Sequence, residues 1–135
     1  MFDQVVVLIS ESEQKSYLFT ADERKKLIEK SLAHLKNVAV DIHVGLTVDY
    51  LKKKKAQVIV RGLRAVVDFE YEMTMANINK KLDPKLETLL VFASPEYYYV
   101  SSRGVKEVAR YGGALEGLVP EVVKSPLLKK LKGKK

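Results

Sequence analysis

Apolar residues follow two rhythms along this chain. Gln4 to Ile9 (QVVVLI) is an unbroken apolar run rich in valine, the pattern of a strand covered on both faces of a parallel sheet. Val38 to Ile42 alternates like a short strand, Gln57 to Val60 is again apolar and β-branched, and Thr88 to Phe92 predicts a fourth, buried strand. Between them the period lengthens. Thr20-Ala21-Asp22-Glu23 has the spacing of a capping box, and Leu27, Ile28, Leu32 and Leu35 then share one helical face, which predicts a helix from about 20 to 36. Thr47 to Lys54 reads as a short helix. Val66 to Leu82 reads as a longer one, with Phe69, Met73, Ala76 and Leu82 recurring at helical spacing until the Pro84 region ends it. Ser101 or Ser102 caps a helix carrying Val105, Val108 and Ala109, which Gly112-Gly113 stops, and a last helix begins near Pro120.

Strands alternating with helices predict an α/β fold with a mainly parallel sheet, whose ligand site lies beyond the carboxyl ends of the strands. With 135 residues the chain fits one compact domain, 1–135, with a lysine-rich tail from about residue 126. No apolar run approaches membrane-spanning length and nothing reads as a signal peptide, so a soluble, cytoplasmic protein is expected. The absence of cysteine excludes disulfides, thiolate catalysis and cysteine metal sites. The net charge of +7 is largely local, in Lys52 to Lys55 and in the lysines of the last seven residues. Such runs are ordinarily solvated helix ends or tails, and the tail lacks the interleaved aromatics of a single-strand binder, so nucleic acid is not expected as a partner.

The residues just after the predicted strands suit phosphate. Lys15 lies in the polar loop after the first; Arg61-Gly62-Leu63-Arg64 follows the third; Ser101-Ser102, beyond Tyr97, Tyr98 and Tyr99, stands at a helix start. Arginine offers forked donors, glycine admits close backbone approach, and a helix start presents free amides with a favourable dipole. Three such segments suggest a polyphosphate ligand. Each also has a plainer reading. Lys15 can be a solvated loop lysine, Arg61 and Arg64 can pair with Asp68, Glu70 or Glu72, the serines can be simple caps, and the tyrosines can be strand packing. His34 sits inside the first helical pattern and His43 after a strand, neither in a metal-ligand spacing. There is no GxxxxGK[ST] loop, no GxGxxG and no serine elbow, which leaves phosphate handling without a covalent nucleophile.

Arg61 to Asn79 reads RGLRAVVDFEYEMTMANIN, and its first twelve residues resemble the hallmark RGLRxxxDxEYE of the phosphopantetheine adenylyltransferase family. Phe19-Thr20 with Glu23-Arg24 is similar to that family's F-[ST]-x-x-E-R element. Leu86-Glu87-Thr88 is similar to its L-E-T strand start, and Val100-Ser101-Ser102 with Val105-Lys106-Glu107 to its I-S-S-x-x-V-[KR]-E helix start. The resemblance covers roughly residues 1 to 123. It implies a Rossmann-like open, mainly parallel sheet with helices on both faces, and an enzyme joining 4′-phosphopantetheine to the adenylyl group of ATP, with release of pyrophosphate and formation of dephospho-coenzyme A. Magnesium as cofactor, a homo-hexamer and coenzyme A as a further ligand are implied with it, but no protein-held metal site.

By position, the resemblance makes Lys15 and Arg64 the catalytic cations, with Lys15 on the transferring phosphates. Arg61, Leu46 and Thr47, together with Lys15, fall on the pantetheine side. Gly62, Leu63, Arg64, Glu72, Tyr97, Tyr98, Tyr99, Val100, Ser101, Ser102 and Arg103 fall on the ATP side. Three departures stand out. The chain opens at MFDQVVVL, which resembles the family's second strand, so the preceding strand and its G-[ST]-F-D-P-x-T-x-G-H loop have no counterpart. Loss of that central strand is expected to leave apolar edges, half a site and poor folding; a start inside a longer protein is the preferred explanation, an inactive nucleotide- or coenzyme-A-binding relative the alternative. Arg103 stands where the family more often has serine or threonine, and Glu13 where proline is common before the lysine.

Overall fold

The structure, a computed structural model, describes residues 1–11 and 16–133. In chain order its elements are β1 (Val5–Glu11), α1 (Ala21–Ser31), β2 (Val38–Val44), α2 (Thr47–Lys54), β3 (Val58–Leu63), α3 (Val66–Leu82), β4 (Glu87–Phe92), α4 (Ser102–Arg110) and α5 (Glu121–Lys132), with a short 3-10 turn at Pro95–Tyr97 before α4. The α/β class and the parallel strands expected from the two rhythms are both present. α2 and α3 span the predicted residues. The chain divides into two compact units, Met1–Gly45 with Val100–Lys135, and Leu46–Tyr99.

In the first unit β1 and β2 pair in parallel, Val5 opposite Val38 through Glu11 opposite Val44, with α1 as the crossover. The capping box closes as its spacing predicts: the Thr20 N–H donates to Glu23 Oε2 at 2.9 Å and the Glu23 N–H to Thr20 Oγ1 at 3.2 Å. Two of the helix's four orphan donors are thereby satisfied, a contribution of about 1 kcal/mol. α1 stops at Ser31, short of the expected residue 36, because the chain must reverse there to lay Asn37 beside Val5, whose N–H donates to the Asn37 carbonyl at 2.9 Å. Leu35 is consequently exposed and His34 lies in a turn instead of a helix. His43 lies within β2, not after it.

A core cluster of this unit lies away from its strands. Val105 and Ala109 of α4, Leu115 of the segment that follows it and Leu127 of α5 form the buried cluster, with Leu18, Phe19, Val123 and Leu131 among those packed on it. Burial of each valine or leucine in this cluster stabilises by about 1.5–3 kcal/mol. α4 ends as the glycine pair predicts. Gly112 takes φ +73°, its N–H donates to the Ala109 carbonyl at 3.3 Å, and the Gly113 N–H donates to the Val108 carbonyl at 2.9 Å, the two bonds of a Schellman stop. A Cβ on Gly113 would meet Val108 Cγ1 at 2.7 Å, so glycine is required there for space as well.

In the second unit β3 and β4 pair in parallel, Val58 opposite Glu87 through Leu63 opposite Phe92, joined by α3, while α2 rests on α3 and buries Val48, Tyr50 and Leu51. The apolar strands are less covered than their composition predicts. In β1 only Ile9 is buried while Val5 and Val6 are exposed, and in β4 Phe92 is 83% exposed. Among the described residues each strand has one paired neighbour and each sheet two strands, so too few side chains are at hand to cover both faces. The same holds for α3, where Phe69, Met73 and Leu82 are exposed and the one buried residue is Glu72.

Candidate active site

In the second unit the sequence-predicted cations converge at the carboxyl end of β3. Arg61 and Gly62 are still in the strand, Leu63 is buried and anchors its last position, and Arg64 turns toward α3, which begins two residues later. The Leu63 carbonyl accepts the Ala93 N–H at 2.8 Å, which ties the end of β3 to the residue after β4. Gly62 has open space where a Cβ would stand, so the backbone can be approached from outside at that point.

Each arginine is held by a carboxylate of α3. Arg61 grips Glu72 with both prongs of its fork, Nε donating to Oε2 at 2.6 Å and a terminal nitrogen to Oε1 at 2.5 Å. Glu72 is buried while Arg61 is half exposed, so the acid is fixed and the cation keeps one side to solvent. That hydrogen bond raises the Arg61 pKa above the ordinary guanidinium value against the opposing effect of burial. Arg64 donates from Nε to Asp68 Oδ2 at 3.2 Å, and Asp68 also accepts the backbone N–H groups of Arg64 at 3.0 Å and Ala65 at 3.3 Å. The Arg64 side chain, and then its backbone N–H, hold the Asp68 carboxyl below its usual range. The pairings with Asp68 and Glu72 that the sequence left open are therefore made. The partner of Arg61 lies eleven residues away, across the end of β3 and nearly two turns of α3, and only the packing of α3 on β3 brings them together.

The other predicted residues of this unit stand at neighbouring element ends. Leu46 caps α2 without a side-chain bond and Thr47 opens it. Tyr97, Tyr98 and Tyr99 follow β4, and all three rings are exposed, so the expectation of strand packing is corrected: the strand stops at Phe92 and the 3-10 turn carries the tyrosines away from the ladder. In the first unit Val100 precedes α4, and the Ser101 Oγ accepts the Gly104 N–H at 3.1 Å as a true N-cap. Ser102 opens the helix and Arg103 follows on its exposed side, next to the free amides of the first turn. Lys15 and Glu13 lie outside the described residues. Among the described residues no group of three or more His, Asp or Glu is arranged to hold a metal ion.

Burial of Glu72 was not legible in sequence. Its neighbours Tyr71 and Met73 are exposed, and the only signal was its place in the RGLR-to-EYE spacing. Chemically, the β3–α3 corner offers two guanidinium groups, an accessible backbone and no nucleophile. Such a corner can orient and neutralise an anion but not form a covalent intermediate with it.

Comparison with known proteins gives these residues a context. The family described as Cytidylyltransferase-like matches residues 1–108. A phosphopantetheine adenylyltransferase of Bdellovibrio bacteriovorus is 67% identical over 132 residues, covering 98% of this chain and 82% of the relative. Proteins of the same name from Thermotoga neapolitana, at 51% identity over 98% of the chain and 82% of the relative, and from Carboxydothermus hydrogenoformans, at 49% over 96% and 80%, are similar along the same span.

Proposed function

The chain belongs to the phosphopantetheine adenylyltransferases of the Cytidylyltransferase-like family and is a nucleotidyltransferase of coenzyme A synthesis, and on that premise we propose that it transfers the adenylyl group of ATP to 4′-phosphopantetheine. One observation carries the reading: Arg61, Gly62 and Arg64 stand together at the carboxyl end of a parallel strand, with Arg61 oriented by the buried Glu72. A phosphate oxygen of phosphopantetheine attacks the α-phosphorus of ATP, the new phosphorus–oxygen bond forms as the bond to the bridging oxygen of the β-phosphate breaks, and pyrophosphate leaves with that electron pair. Such in-line transfer needs orientation and positive charge, not a nucleophile. Arg61 holds the acceptor phosphate, Arg64 with the Gly62 backbone holds the triphosphate, and Lys15 serves the transferring phosphates. Glu72 belongs to the ATP side and orients Arg61. Leu46 and Thr47 receive the pantetheine arm. Tyr97, Tyr98 and Tyr99 offer exposed rings to the adenine, and Val100 with Ser101, Ser102 and Arg103 at the start of α4 receives phosphate oxygens.

A protein-built magnesium cage does not fit the donor set, because Asp68 and Glu72 are engaged by arginines and no acidic cluster stands among the described residues. Magnesium is therefore assigned to ATP as part of the substrate, on the nucleotide's own phosphate oxygens. A homo-hexamer, dephospho-coenzyme A and coenzyme A as ligands, and a cytoplasmic site of action go with the family reading; no helix among the described residues is long and apolar enough to cross a membrane. The shared transferase name of the relatives supports catalysis over binding alone.

The test is release of pyrophosphate from magnesium-ATP on addition of 4′-phosphopantetheine, run on this chain and on a version extended upstream through any in-frame coding sequence. Release should depend on phosphopantetheine and fall by about 100-fold in Arg64→Ala. Binding of both ligands with no pyrophosphate from either version would return the binding-only reading.

A further inference from the structure

Away from the strand ends, α1 and α5 pack against each other in the first unit, and a groove of about 410 Å³ runs between them. That volume lies in the range of sites that take small organic molecules. None of the residues placed at the β3–α3 corner lines it. Its floor is apolar, made by Phe19 and Leu27 on one side and Pro126 on the other. Pro126 stands inside α5, where it donates no backbone N–H and presents a short ring in place of a long side chain, which helps to leave the groove open.

The rim is cationic. Lys130 is committed, with Nζ 2.7 Å from Glu23 Oε1 and 5.9 Å from the centre of the Phe19 ring. Lys26 from α1 and Lys129 from α5 also line the groove, and among the described residues neither has a carboxylate within ion-pair distance. Two unpaired ammonium groups thus flank an apolar slot. A bare inorganic anion would satisfy the lysines and leave the floor wet, while a neutral hydrocarbon would cover the floor and leave the charges unanswered. A ligand complementary to both has an unbranched apolar body and one anionic head. Lysine suits such a head because it acts as a point charge and does not demand a forked partner.

We propose that the α1–α5 groove is a binding site for a medium-chain amphipathic carboxylate, with the alkyl chain on Phe19, Leu27 and Pro126 and the carboxylate between Lys26 and Lys129. The groove shares no lining residue with the proposed transfer site, and the proposal stands or falls independently of that one.

Isothermal titration calorimetry of the whole chain with decanoate below its micelle concentration tests this, with butyrate and 1-decanol as comparison ligands. Decanoate should saturate at one per chain, bind at least about tenfold tighter than butyrate through its added methylenes, and about fivefold tighter than decanol through the two rim cations. The double variant K26E/K129E, whose exposed positions leave the helices intact by circular dichroism, should lose the advantage of decanoate over decanol and keep decanol affinity. Non-saturating uptake of decanoate, equal affinity for decanol, or decanoate binding undiminished in the double variant would overturn the proposal.

Discussion

At the residue scale, the pair formed by Arg61 and Glu72 is asymmetric, because the carboxylate is buried and the guanidinium half exposed. Removing the cation strands a carboxylate out of water, while removing the acid leaves a cation that solvent can reach. Arg61→Ala is therefore expected to cost about 2–3 kcal/mol and Glu72→Gln about 1 kcal/mol, read from urea unfolding curves. Asp68 carries a pH dependence. Its folded pKa is lowered by the Arg64 side chain and the amides at the start of α3, so its contribution is present above the unfolded carboxylate value of about 3.9 and is lost as pH falls through the lower folded value. Asp68→Asn should flatten that acid limb, so the difference in Tm between pH 5 and pH 2.5 should shrink relative to the parent. The arginines, Gly62 and the serine cap were legible in sequence as types. The choice among Asp68, Glu70 and Glu72 was not, since a helix offers all three carboxylates and only the angle at which α3 leaves β3 selects two of them.

At the element scale, stops and starts were the most readable features, because each depends on a few adjacent residues. The Thr20–Glu23 box, the Ser101 cap and the Gly112–Gly113 stop all form where the spacing put them. α1 was overextended because Leu32 and Leu35 kept helical spacing through residues that the chain needs for its reversal into β2. The stop of α4 gives a sharp test. Gly112→Ala, at φ +73°, should cost about 1–2 kcal/mol through backbone strain alone. Gly113→Ala should cost about 1–3 kcal/mol through the clash with Val108, and trimming that neighbour in Gly113→Ala/Val108→Ala should recover part of the clash, a coupling that a double-mutant cycle in thermal unfolding measures.

At the scale of the whole molecule, an apolar strand sequence states that a segment can be covered, not that it is. Val5 and Val6 of β1 and Leu89, Val91 and Phe92 of β4 read as interior, yet among the described residues each sheet has two strands and these side chains meet solvent. Apolar strand faces left this open invite association. Val60→Lys, at an exposed position of β3 opposite Leu89, is expected to change unfolding free energy by less than about 1 kcal/mol while raising the soluble fraction after concentration. Centrifugation followed by absorbance measures that fraction.

The grip of Glu72 on Arg61 also sets a threshold. A carboxylate held by both prongs of the fork on a rigid helix is a resident rival for the guanidinium, with two charge-assisted hydrogen bonds already made whatever the solution contains. Chloride or acetate cannot outbid it at ordinary levels. An anion that engages Arg61 must bring more than one charge or share the fork with the acid, so the corner screens its visitors by valence before any shape is compared.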